Sequence, residues 1–76
     1  MGVFPNPASG SFNVHADFLT EQGSATVRLY GPTGKLAMST SMQGQEQRFA
    51  ASNLRGLYMV VVEGNGKQLT HKLVLQ

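Results

Sequence analysis

Apolar and polar residues alternate with period two along most of the chain. Residues 11–16 place Phe12, Val14 and Ala16 on one face and Ser11, Asn13 and His15 on the other, the pattern of a strand with one buried side. Residues 25–30 repeat it, with Ala25, Val27 and Leu29 against Thr26, Arg28 and Tyr30. Residues 36–42 set Leu36, Met38 and Met42 on one side and Ala37, Ser39 and Ser41 on the other. Gly31-Pro32-Thr33-Gly34 separates these two segments, the proline presetting one φ and the glycine tolerating a positive one, so they form a hairpin. Residues 46–50 give a further short strand anchored by Phe49.

The alternation stops at residues 57–62, an unbroken apolar run bounded by glycines. Its length and its β-branched and aromatic content predict a strand buried on both faces. Gly64-Asn65-Gly66 follows. Asn-Gly accepts the positive φ of a tight turn, so the chain reverses and returns as a last strand on which Leu69, Leu73 and Leu75 share a face. At the other end, Val3-Phe4 predicts an edge strand, and Pro5-Asn6-Pro7 punctuates it by fixing φ at each proline. Residues 17–24 form a loop from which Phe18 or Leu19 plugs the end of the core. Residues 51–55 are too few for a free-standing helix. About seven short strands, with turn signals every 8–12 residues or so, predict an all-β, Ig-like antiparallel β-sandwich. The expected organisation is one domain over residues 1–76, with Met1-Gly2 reading as a start added to an excised domain.

Composition narrows the class. A chain of 76 residues buries only roughly 60–65% of its unfolded surface, which makes for modest stability. Charged residues are 13% of the chain, below the usual ~25%, so the surface is rich in Ser, Thr, Gln, Asn and Gly, as suits an exported β-domain. With no cysteine, neither a disulfide nor a thiolate zinc site staples the fold. No apolar run reaches the ~18–20 residues of a membrane-spanning helix, and the first residues lack the pattern of a secretory signal peptide. The net charge of +2 comes from Arg28, Lys35, Arg48, Arg55, Lys67 and Lys72. They are scattered, not clustered with stacking aromatics as a nucleic-acid footprint requires.

Candidate chemistry is sparse. Gly31-Pro32-Thr33-Gly34-Lys35 has the glycines and lysine of a phosphate-binding loop. It has two residues between the glycines instead of four, Leu36 where a hydroxyl belongs, and a strand where a helix belongs, so it reads as a turn. His15, Asp17 and His71, with Glu21, Glu46 and Glu63 dispersed, do not supply the three or four converging ligands of a zinc site and read as exposed strand histidines. A Ser-His-Asp arrangement needs a pocket that so small a sandwich scarcely offers. Tyr58, in the apolar run, reads as a core residue with its hydroxyl at the rim, as for most buried tyrosines. Tyr30 shares a face with Arg28 and reads as a surface residue. No enzyme activity, metal, cofactor, small-molecule substrate or nucleic acid is expected.

The terminal stretch resembles a known family. Gly56-Leu57-Tyr58, then Val60-Val61-Val62, then Asn65-Gly66, then Lys72-Leu73-Val74-Leu75-Gln76 is similar to the C-terminal sorting domain of type IX secretion (Por system) cargo in Bacteroidetes-type bacteria. Phe4-Pro5-Asn6-Pro7-Ala8 with Gly10 and Phe12, and Val27-Arg28-Leu29-Tyr30 with Thr33-Gly34-Lys35, fit the same family in the same order, so the resemblance spans nearly the whole chain. Phe4 stands where tyrosine is commoner, and Gly31 where Asp or Asn is common.

The resemblance implies a secretion signal without catalytic apparatus. Its cargo crosses the inner membrane on a separate signal peptide. The domain is then recognised in the periplasm and carried across the outer membrane by the type IX translocon. By the same resemblance a sortase-type peptidase typically cleaves before the domain, with the cargo anchored at the cell surface or released. Lys72, Leu73, Val74, Leu75 and Gln76 are the expected read-out, on an edge strand open to β-augmentation. Pro5, Asn6, Pro7, Gly34, Gly56, Tyr58, Asn65 and Gly66 are the expected structural motif. Open edges also allow a homodimer. The alternative is a non-catalytic, fibronectin-like adhesion or carbohydrate-binding module, which needs a patch of exposed aromatics. An inert fragment of a larger enzyme is a third reading.

Overall fold

The computed structural model describes residues 2–5, 7–19 and 23–76; Met1, Asn6 and Glu21 lie outside the described residues. Seven strands follow one another: β1 (Gly2–Phe4), β2 (Ser11–His15), β3 (Ser24–Tyr30), β4 (Leu36–Gln43), β5 (Glu46–Ala50), β6 (Gly56–Gly64) and β7 (Lys67–Leu75). They make two antiparallel sheets, one ordered β1-β2-β5 and the other β4-β3-β6-β7. The chain changes sheet after β2, after β4 and after β5, as expected of an Ig-like sandwich.

Period-two alternation decides what fills the space between the sheets. Phe12, Val14 and Phe49 enter from the smaller sheet. Val27, Leu29, Met42, Val60, Val62, Leu73 and Leu75 enter from the larger one, and all of these are buried. Each fully buried aliphatic or aromatic side chain contributes about 1.5–3 kcal/mol relative to exposure. The rings of Phe12 and Phe49 sit on opposed positions of β2 and β5, with centroids 5.6 Å apart, within the range that favours aromatic pairs. Leu19 plugs one end of the core, and Phe18 packs against it half-buried.

Two expectations change. The run 57–62 is covered on both faces only in part: Tyr58, Val60 and Val62 point inward and Val61 is buried on the outer face, while Leu57 and Met59 on that face are 42% and 37% exposed. The outer face of an antiparallel sheet normally meets solvent, and here it does so at Leu57 and Met59. Leu36 does not share a side with Met38 and Met42. A bulge between Leu29 and Tyr30 pairs Leu29 with Met38 but Tyr30 with Leu36, and the extra residue, Ala37, turns Leu36 outward. The structure also gives Gly64 a role of its own. A Cβ there would stand 2.9 Å from both Ala25 Cβ and the Ser24 carbonyl oxygen, so β6 can pass β3 this closely only without a side chain.

The turn itself follows the sequence reading. Asn65 and Gly66 have φ of 53° and 73°, the two successive positive values of a type I′ hairpin.

Gly64→Ala is expected to cost about 1–3 kcal/mol, the range for forcing a methyl group into a closed site. Gly31→Ala serves as the control, because its Cβ would meet only the Lys35 carbonyl at 3.8 Å. Urea denaturation of both variants checks this; equal midpoints would refute the close approach at Gly64.

Candidate recognition surface

The strand period divides the terminal motif into two sets. Leu73 and Leu75 turn inward and are buried, lying opposite Tyr58 and Gly56 of β6. Lys72, Val74 and Gln76 turn outward and are exposed. The end of β7 is not an open edge. The Ala8 N–H donates to the Val74 carbonyl at 2.8 Å, and the Gln76 N–H donates to the Ala8 carbonyl at 2.8 Å, an isolated parallel bridge. At this bridge Ala8 sits beside the end of β7 and is itself buried. Farther back, Gln68 and Thr70 lie on an edge that no described strand pairs.

The structural motif divides in the same way. Tyr58 is half-buried on the inner face and packs against the core. Gly56 has φ of 109°, a conformation closed to most side chains, and starts β6 beside the end of β7. Asn65 and Gly66 make the hairpin turn. Gly34, with φ of 83°, closes the β3–β4 turn, where its N–H donates to the Gly31 carbonyl and the Gly31 N–H donates to the Lys35 carbonyl, both at 2.9 Å. Pro5 and Pro7 are exposed and the Phe4–Pro5 bond is cis; Asn6 lies outside the described residues.

Register assembles a surface that sequence reading missed. On the outer face of the four-stranded sheet, Leu36 pairs with Tyr30, Tyr30 with Met59, and Met59 with Lys72, one row across all four strands. Leu57 and Val74 form the next pair toward the same end. The other half of the face is mostly polar: Ser39, Arg28, Val61 and Thr70 in one row, Ser41, Thr26, Glu63 and Gln68 in the next. Arg28 lies 4.0 Å from Glu63, a partly exposed pair of little energetic weight. The missed signal was the unbroken apolar run itself: a strand between solvent-facing neighbours cannot be covered on both sides, so Leu57 and Met59 had to surface.

The histidines stand apart on different sheets. His15 Nδ1 is 3.3 Å from Glu46 Oε1 without hydrogen-bond geometry, and His71 Nδ1 donates to the Lys72 carbonyl at 2.8 Å.

The fold is a small β-sandwich of two antiparallel sheets. The sequence matches the family described as the secretion system C-terminal sorting domain over residues 2–76. The chain therefore belongs to the type IX secretion C-terminal sorting domains, a non-catalytic family. It is a signal that acts with the type IX machinery and marks a protein that passes the outer membrane to be secreted or displayed. No curated protein and no solved structure matches the chain significantly.

The Ala8 bridge makes a testable demand on a residue that would otherwise fray. The Gln76 amide is expected to exchange with deuterium well below the free-peptide rate at neutral pH. Exchange at the free-peptide rate would show that the bridge does not hold in solution.

Proposed function

We propose that the translocon reads the outward side chains at the end of the terminal hairpin, Lys72, Val74 and Gln76. Leu73 and Leu75 serve the signal indirectly, by locking the strand into the core. One observation carries this reading: the terminal motif is split by the strand period, and only its outward half can touch a partner while the domain is folded. Gly56, Tyr58, Asn65 and Gly66 fix the hairpin that presents that half. Recognition takes place in the periplasm, after the cargo has crossed the inner membrane on its own signal peptide. Cleavage by a sortase-type peptidase before the domain, and anchoring of the cargo at the cell surface, complete the route.

The alternative, an adhesion or carbohydrate-binding module, calls for several exposed aromatics on which sugar rings stack. Among the described residues the outer face of the larger sheet carries Tyr30 alone, itself half-buried, while Phe18 is half-buried at one end of the core and the exposed Phe4 stands on β1 of the other sheet. Family membership favours sorting.

The test is the double variant Lys72→Ala, Gln76→Ala behind a reporter with a periplasmic signal peptide. Both side chains are exposed, so circular dichroism should be unchanged. In a type IX-competent strain the reporter is expected to leave the surface fraction and accumulate in the periplasm. Normal surface delivery by the folded variant would remove these side chains from the address.

A further inference from the structure

The outer face of the larger sheet carries a second feature, which rests on the sorting reading and extends it beyond the terminal motif. Leu36, Leu57, Met59 and Val74 are each between 37% and 50% exposed, and they lie together with Tyr30 at one end of one face. Contiguous apolar side chains of this kind often mark a contact surface, whereas the comparably exposed Phe4 and Leu69 stand outside this cluster.

Charge says what kind of surface covers them. Lys72 stands in the same cross-strand row as Met59. Lys35 immediately precedes β4 and Arg55 immediately precedes β6, at the same end of the sandwich. The acidic side chains Asp17, Glu46 and Glu63 belong to the opposite end: Asp17 follows β2, Glu46 opens β5 opposite His15, and Glu63 lies near the β6–β7 turn. Among the described residues, no carboxylate side chain lies at the patch end. Shape then distinguishes a protein from a bilayer. Two shallow depressions flank the β3–β4 turn at the end of the patch, one running from Tyr30, Leu57 and Met59 to Tyr58, the other from Lys35 and Leu36 to Leu54 and Tyr58. A protruding side chain of a folded partner can enter such hollows as an anchor.

We infer that Leu36, Tyr30, Leu57, Met59 and Val74, edged by Lys35, Arg55 and Lys72, form a docking surface for a protein component of the secretion machinery whose facing surface is apolar at its centre and edged with carboxylates. The apolar centre supplies the adhesion. The cationic edge speeds the encounter and rejects basic surfaces. The terminal motif is then one corner of a larger address, and β6 and β3 contribute the rest.

Three variants of the reporter fusion test this, each checked for folding by thermal melting of the purified domain. One reverses the edge with Lys35→Glu and Arg55→Glu, leaving the terminal motif intact. One makes the centre polar with Leu57→Ser and Met59→Ser. The third, Ser39→Glu with Thr70→Glu, alters only the polar half of the face. The first two are expected to lower surface delivery about tenfold, the effect of losing about 1.4 kcal/mol of binding, and the third to leave it unchanged. Surface delivery of the edge and centre variants at the level of the unaltered domain would overturn the inference, as would equal loss in the third. If the unaltered domain itself fails to deliver the reporter, the sorting reading fails instead. Cosedimentation of the purified domain with vesicles of phosphatidylglycerol and phosphatidylcholine, abolished by the first two variants, would assign the patch to a lipid surface and overturn the protein partner.

Discussion

The register of the β6–β7 hairpin is the constraint on which the rest depends. Asn65 and Gly66 fix it by adopting two successive positive φ values, which sets Met59 opposite Lys72 and Tyr58 opposite Leu73. A slip of one residue would turn Leu73 and Leu75 to solvent and drive Lys72 and Val74 into the core. Burying a lysine ammonium in an apolar core is costly enough that the slipped state is not competitive. One turn therefore decides both what holds the sandwich together and what it shows.

This arrangement separates stability from recognition within a single strand. The inward residues of β7 belong to the core shared with Phe12, Leu29 and Val60, and substitutions there act through folding. The outward residues can vary with little effect on the core, so their chemistry is available to a partner. Gly64 and Ala8 support this from opposite ends of the hairpin. Gly64 lets β6 approach β3, and Ala8 holds the last residues of the chain against fraying.

Much of this was legible in the sequence because alternation, turn chemistry and strand length agreed. The segments around Phe12, Val27 and Phe49 became strands near their expected bounds, and Asn65-Gly66 became the expected turn. What escaped was non-local. Leu36 follows the alternation of its own strand, but a bulge against Tyr30 reverses its side. The apolar run at 57–62 had to be read together with the polar outer faces of its neighbours before Leu57 and Met59 could be placed at the surface. Nothing in Ala8 announces that it will bridge Val74 and Gln76, because that contact joins parts of the chain far apart in sequence. The terminal motif was readable as a motif, while its division into buried and displayed halves needed the core.

The central claim is that the outer face of the hairpin, not its core-facing side, is what the secretion machinery contacts. Methionine oxidation reports on this directly, since Met59 lies on that face and Met42 is fully buried. Oxidation turns an apolar thioether into a polar sulfoxide at a rate that follows exposure. In the free domain, dilute peroxide should oxidise Met59 well before Met42. In cargo held on the translocon, mass spectrometry should find Met59 protected. Oxidation of Met59 at the same rate in free and translocon-bound cargo would contradict the account.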